Sequence, residues 1–288
     1  MTRRTGLVAA AVAWLSGCSG AAVLNKLAPA DSYRGRQGIA YGPQPRQQLD
    51  VYQPLASRGA AAPPVVVFFY GGSWSHGERA DYRFVGEALA AQGAIVVIPD
   101  YRLSPQVRYP VFLEDCASAV KWAFEHAAEL GGSASSVLLM GHSAGAYNAA
   151  MLALDPRWLR GAGVSAGQRL SGWIGLAGPY DFLPIVDREP QVAFQWPQTP
   201  EDSQPVAHVS AEAPRTLLLA AIKDSVVNPQ RSTAGLGQRL QAAGVPTRVR
   251  MYERVSHVTL LAALAQPLRW LAPVRDEILD FLGLPRSG

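Results

Sequence analysis

The chain has 288 residues, of which 49% are hydrophobic and 17% charged, enough to close a core that buries roughly 75% of the unfolded surface. That composition excludes a disordered, collagen-like or disulfide-stapled chain, and the length suits one large α/β unit as well as two smaller domains. A formal net charge of +4, with no run of Lys or Arg longer than two, argues against a nucleic-acid footprint.

In chain order, the first element is Met1–Cys18. Arg3 and Arg4 precede an apolar run from Leu7 to Leu15, too short to cross a bilayer, which needs about twenty residues, but laid out like an export signal. It ends in Leu15-Ser16-Gly17-Cys18, which resembles the lipobox of bacterial lipoproteins; an ordinary signal peptide with a chance cysteine is the alternative. The resemblance implies cleavage before Cys18, lipidation of Cys18 and a location in the cell envelope, held to the lipid bilayer by several acyl chains. Ser19, where Asp resembles an inner-membrane retention signal, favours the outer membrane in an organism that has one. Residues 18–47 then read as the lipidated cysteine, a tether and an N-terminal arm, small, polar and turn-rich. The one other cysteine, Cys116, lies in an apolar helical pattern and reads as a small core residue rather than a nucleophile.

From Gln48 onward short apolar runs alternate with helical patterns. Val65–Tyr70, Ala94–Ile98, Val137–Met140, Trp173–Leu176 and Thr216–Leu219 are apolar on both faces, as strands covered by helices on both sides must be. Thr247–Tyr252 is a more alternating strand. Helical patterns near 80–92, 112–130, 144–154, 231–243 and 258–270 separate them, which predicts a mostly parallel, right-handed sheet wound on both faces. Residues 182–213, rich in proline, form an insertion that suits a lid, a binding loop or a spacer.

The sharpest motif is Gly141-His142-Ser143-Ala144-Gly145. A G-x-S-x-G run between a strand and a helix is a nucleophile elbow: the turn exposes the Ser143 hydroxyl, and bulk at either glycine would crowd neighbouring backbone. A serine needs a base. His257, in a loop between the last strand and a helix, has the suitable position and chain order. His142 lies within the elbow, His126 mid-helix and His208 in the insertion, while His76 is the competitor. The base needs a carboxylate, and Asp224, after the strand Thr216–Ala221, is favoured over Asp181. Oxyanion stabilisation needs backbone N–H donors. One follows the nucleophile at Ala144, and others come from Gly71-Gly72-Ser73-Trp74, where glycine lets backbone approach substrate.

These stretches, with Asp100-Tyr101-Arg102-Leu103-Ser104-Pro105, Leu113-Glu114-Asp115 and Gly178-Pro179-Tyr180-Asp181, resemble the α/β-hydrolase family over residues 48–288. Within it the likeness is to small carboxylesterases with an HGGxW-type oxyanion loop, a group that includes acetyl and feruloyl esterases and kynurenine formamidase. The resemblance implies Ser143, Asp224 and His257 as the triad and the amides of Gly72, Ser73 and Ala144 as the oxyanion hole. It makes Asp100–Pro105 and Glu114–Asp115 scaffold for that loop. Trp74 and Tyr147 are expected to border the substrate pocket. Tyr70 stands where the family has His, and Tyr147 where related formamidases often have His. The implied reaction is hydrolysis of small-molecule esters through an acyl-enzyme, with no metal or cofactor. Amide or formamide hydrolysis on the same triad is one alternative, and a silent envelope lipoprotein that uses the fold for binding is another.

Overall fold

The computed structural model describes residues 18–56 and 62–285, so the leader expected at 1–17 lies outside the described residues. Eight strands form one sheet: β1 (Tyr33–Ala40), β2 (Gln48–Pro54), β3 (Val65–Phe69), β4 (Ile95–Pro99), β5 (Val137–His142), β6 (Gly172–Leu176), β7 (Thr216–Ala221) and β8 (Thr247–Tyr252). Their order is 1-2-4-3-5-6-7-8. Only β2 runs against its neighbours, pairing antiparallel with β1 and β4, and the remaining pairs are parallel. This is the α/β-hydrolase fold, with the mostly parallel sheet that the sequence implies.

Residues of β3, β4, β5, β6 and β7 are buried throughout, because helices cover both faces of the sheet centre. The edge strand β8 alternates instead, and its Arg248 and Arg250 face Glu277 on the last helix at 3.2 and 3.3 Å. The helices are α1 (Cys18–Leu27), α2 (Arg83–Ala90), α3 (Val111–His126), α4 (Ala144–Leu154), α5 (Pro156–Gly161), α6 (Arg188–Ala193), α7 (Gly235–Ala242), α8 (His257–Ala262) and α9 (Val274–Leu282). The helical pattern expected over 258–270 is broken: α8 ends at Ala262 and a 3-10 turn spans Gln266–Leu271, with Pro267 at its start.

The structure corrects the tether at 18–47. Cys18–Leu27 is a helix docked on the domain, with Gly20, Leu24 and Ala28 turned inward and Val23, Lys26 and Leu27 outward. Arg83 holds it there, donating to the carbonyls of Asn25 and of Ala28 (2.8 Å for the latter), a cation at the C-terminal end of a helix. Tyr33–Ala40 is a sheet strand rather than an arm. It lies at the sheet edge with most of its residues exposed, so it carries no apolar run to announce it. The 182–213 insertion holds α6 and two short 3-10 turns, Glu201–Ser203 and Pro205–His208, and its Phe182 and Phe194 pack on Trp74.

The connections that follow β3, β5, β7 and β8 all leave the same edge, the C-terminal ends of the parallel strands, where α/β sheets bind ligands.

Candidate active site

Ser143 sits between β5 and α4 at φ 54°, ψ −124°, a conformation that strains a side-chain-bearing residue by about 1–3 kcal/mol. Close backbone contact on both sides holds it there. A Cβ on Gly141 would lie 2.1 Å from the Gly145 oxygen, and one on Gly145 would lie 2.0 Å from the Phe69 oxygen. The Ser143 amide donates to the Leu176 carbonyl of β6 at 2.9 Å.

Three expected side chains meet at this edge. The Ser143 hydroxyl lies 2.9 Å from His257 Nε2, and His257 Nδ1–H donates to Asp224 Oδ2 at 2.7 Å. His257 opens α8 behind a Ser256–Thr259 capping box, which fixes the ring's starting point. Asp224 accepts from the amides of Val226 and Val227 at 2.8 and 2.9 Å through its other oxygen. Burial alone would push its carboxyl up, but the hydrogen bond and charge of His257 and those two amides outweigh it and hold it below the ordinary carboxylate range.

The other candidates take no part in these contacts, although His76, His142 and Asp181 border the space beside Ser143. Asp181 pairs with Arg231 at 2.6 Å. His76 is exposed and lies 3.0 Å from Ser75 Oγ. His126 contacts the Trp122 carbonyl of its own helix and His208 the carbonyl of Asp202. His142 is buried, and its Nε2–H donates to the His257 carbonyl at 2.9 Å. Burial, then the nearby His257, push its pKa down to about 3, so the ring is neutral and serves as a backbone brace. Its sequence position shows that it points away from the serine but not what it grips.

The loop after β3 turns tightly. Gly72 has φ +121°, its carbonyl accepts from the amides of Ser75 and His76, and a Cβ there would lie 2.1 Å from the His76 oxygen, so only glycine fits. Ser73 and Trp74 follow at φ 50° and 57°. Among the described residues no acceptor takes the amide protons of Gly72, Ser73 or Ala144, and all three residues line space beside Ser143. Tyr70, at the start of this loop, donates to Asp100 and accepts from Arg46, each at 2.8 Å. Its ring stacks on Tyr101 and Tyr82. Tyr101 donates to the Tyr70 carbonyl, and the Ser104 amide donates to that of Trp74, both at 2.8 Å. The Asp100–Pro105 segment therefore touches both ends of the loop. Asp115 anchors that segment in turn, accepting from the Arg102 amide and guanidinium.

Two cavities flank Ser143. One, about 280 Å³, is bounded by His257, Ala21, Leu24, Phe84 and Leu261. The other, about 230 Å³, is bounded by Trp74, Ala144, Phe182, Ile185 and Val186. Trp74 thus lies at a cavity wall, its indole N–H donating to Asn148 at 3.0 Å. Tyr147 does not. It is fully buried behind Trp74 and Phe194, lines neither cavity, and donates its hydroxyl to the Ser203 carbonyl at 2.7 Å. The helical direction of α4 turns it into the core, which corrects its placement at the substrate pocket. Cys116 is buried, with a thiol pushed well up by that burial. Among the described residues no group of three or more His, Cys, Asp or Glu could hold a metal ion, and no helix is long and apolar enough to cross a membrane.

The BD-FAE family model matches residues 49–238. A probable isoprenylcysteine alpha-carbonyl methylesterase of Arabidopsis thaliana is 30% identical over 255 residues, 81% of this chain and 52% of that protein. Esterase LipC of Mycobacterium tuberculosis is 30% identical over 227 residues, 73% of this chain and 56% of that protein. The chain thus spans about half the length of these curated relatives. Among solved structures, esterase B of Lactobacillus rhamnosis superposes with a TM-score of 0.78 at 20% identity, covering 96% of each chain, a likeness of fold.

Proposed function

The chain belongs to the BD-FAE family, and on that basis we propose that it is a serine carboxylic ester hydrolase that acts on small esters through an acyl-enzyme. The observation that carries this reading is the Ser143–His257–Asp224 chain of contacts at 2.9 and 2.7 Å, beside the free amides of Gly72, Ser73 and Ala144.

As Ser143 Oγ attacks the ester carbonyl carbon, His257 Nε2 takes the hydroxyl proton, and Asp224 stabilises the resulting imidazolium. The three amides receive the oxyanion. Each such donor contributes about 10²–10³ in rate, and here each is fixed by a turn or helix start before substrate arrives. Collapse breaks the carbon–oxygen bond to the alcohol, whose oxygen takes the proton from His257 and leaves an acyl ester on Ser143. Water then attacks that ester, gives its proton to His257, and releases the carboxylic acid with Ser143 restored.

Ser143→Ala is expected to lower kcat on p-nitrophenyl acetate roughly 10⁶-fold, as for a triad acting as a unit, and to abolish labelling by a fluorophosphonate. Hydrolysis retained by folded Ser143→Ala would remove the nucleophile. A folded wild-type protein that neither labels nor hydrolyses would favour a binding role for the fold. Parallel ester and formamide assays separate the amidase reading.

A lipid anchor at Cys18 is part of the same reading, supported by the Leu15–Cys18 resemblance. α1 starts at Cys18 and runs ten residues, about 15 Å at 1.5 Å per residue, so an anchored chain would hold the cavity wall at Leu24 close to the bilayer. Palmitate incorporation in a bacterial host, lost in Cys18→Ala, is the expected result; equal incorporation in both proteins removes the anchor.

A further inference from the structure

The two cavities beside Ser143 differ in one respect that chemistry can use. His257 lines the 280 Å³ cavity and is absent from the wall of the 230 Å³ one. In ester cleavage the departing oxygen must take its proton from His257 Nε2, so the leaving group has to lie on the imidazole side. We propose that the 280 Å³ cavity receives the alcohol portion of the ester and the 230 Å³ cavity the acyl portion, with α1 setting which alcohols are accepted; this rests on the esterase reading above.

The walls point to the chemical class. Ala21 and Leu24 of α1 face Phe84, Val258, Leu261 and Ala262 across the alcohol cavity, so its body is apolar. Its volume lies just below the roughly 300 Å³ at which small-ligand pockets begin, which suits a short aliphatic or compact cyclic alcohol. His76, Asp81 and Tyr82, also in the lining, add polar groups at one side of it. The α1 wall is built in rather than draped on. Beyond the Arg83 contacts, Asn25 donates to the Ala80 carbonyl at 2.6 Å and accepts from the Phe84 amide at 3.1 Å. Leu24, next to Asn25, is 5% exposed.

The test compares kcat/KM along two ester series, acetates of methanol to hexanol and ethyl esters of acetate to hexanoate. In the wild type each alcohol methylene added to the acetates is expected to raise kcat/KM about fourfold until the cavity fills. Ala21→Trp, which fills the cavity from α1, is expected to flatten the alcohol series and leave the acyl slope in place. Val186→Trp, on an exposed residue of the other cavity, is expected to do the reverse. Leu24→Ala, which enlarges the alcohol cavity, is expected to move the preferred alcohol upward by one or two carbons, a gain that damaged protein does not show. Ala21→Trp flattening the acyl series, or changing neither slope while Leu24→Ala leaves the optimum in place, overturns the assignment and leaves the esterase reading intact. A wild type that turns over no member of either series overturns the esterase reading itself, and the assignment with it.

Discussion

His142 Nε2 donates to the backbone carbonyl of His257 at 2.9 Å, so a residue of the elbow grips the backbone of the residue whose ring reaches Ser143. Ser143 and His257 are thereby joined twice, once through the side chains and once through this brace. The hydrogen bond itself would favour a protonated ring, but burial, then the nearby His257, outweigh it and keep His142 neutral.

Burial of that neutral ring makes stability depend on pH. The unfolded chain takes up a proton at His142 near pH 6.5, whereas in the folded protein burial and the neighbouring His257 push its pKa down to about 3. Between these values the unfolded state binds the extra proton, so the stability associated with neutral His142 is present above pH 6.5 and is lost as pH falls. The slope approaches about 1.4 kcal/mol per pH unit. In urea unfolding between pH 7 and 4.5, His142→Asn is expected to be less stable at pH 7 and to lose less on acidification than the wild type. Parallel curves for the two proteins would count against the brace being a neutral buried imidazole.

The centre of the fold is legible because burial on both faces writes itself as unbroken apolar runs, as in Val65–Phe69. The elbow is legible for a related reason: backbone packed to within 2.1 Å of a missing Cβ tolerates only glycine. Edges carry no such mark. Tyr33–Ala40 is a strand whose side chains mostly face water, and in α1 Gly20 and Leu24 alone are fully buried among the described side chains, too short a stripe to stand out from a polar arm. The family resemblance puts Tyr147 beside the substrate, but a motif position does not give the direction a side chain takes off a helix. The His142 grip joins residues 115 apart in sequence, a contact that no local pattern encodes.

Tyr70 carries a polar bridge at the start of the Gly71–Trp74 loop. Its hydroxyl lies between Asp100 and Arg46 at 2.8 Å each, and burial, with the nearby Tyr101 and Asp100, raises its pKa well above the ordinary phenol value, so it remains a donor. Tyr70→Phe keeps both ring stacks and leaves a buried Asp100 oxygen one donor short, a loss of about 1–3 kcal/mol. Thermal unfolding is expected to show a Tm lower by several degrees, with esterase kcat falling more than KM changes, since the amides of the Gly72–Ser73 turn are displaced rather than the cavities. An unchanged Tm would show that the bridge adds nothing beyond the stacking.

Two glycines at helix ends provide the sharpest contrast. A Cβ on Gly145 would stand 2.0 Å from the Phe69 oxygen and 2.4 Å from that of Tyr70. Both belong to backbone at the end of β3, and moving it drags the Gly71–Trp74 loop away from Ser143. Gly145→Ala is expected to cost at least the 1–3 kcal/mol typical of overpacking and to depress ester turnover further than stability alone explains. Gly161, at the end of α5, has nothing within 4 Å of the same position and no left-handed φ. There the added methyl restricts the unfolded chain without strain, so Gly161→Ala is expected to stabilise by about 0.4–1 kcal/mol and leave turnover alone. Urea midpoints and p-nitrophenyl acetate rates on the two variants decide the matter: equal effects from both substitutions would mean that the elbow's tolerance is not set by backbone contact.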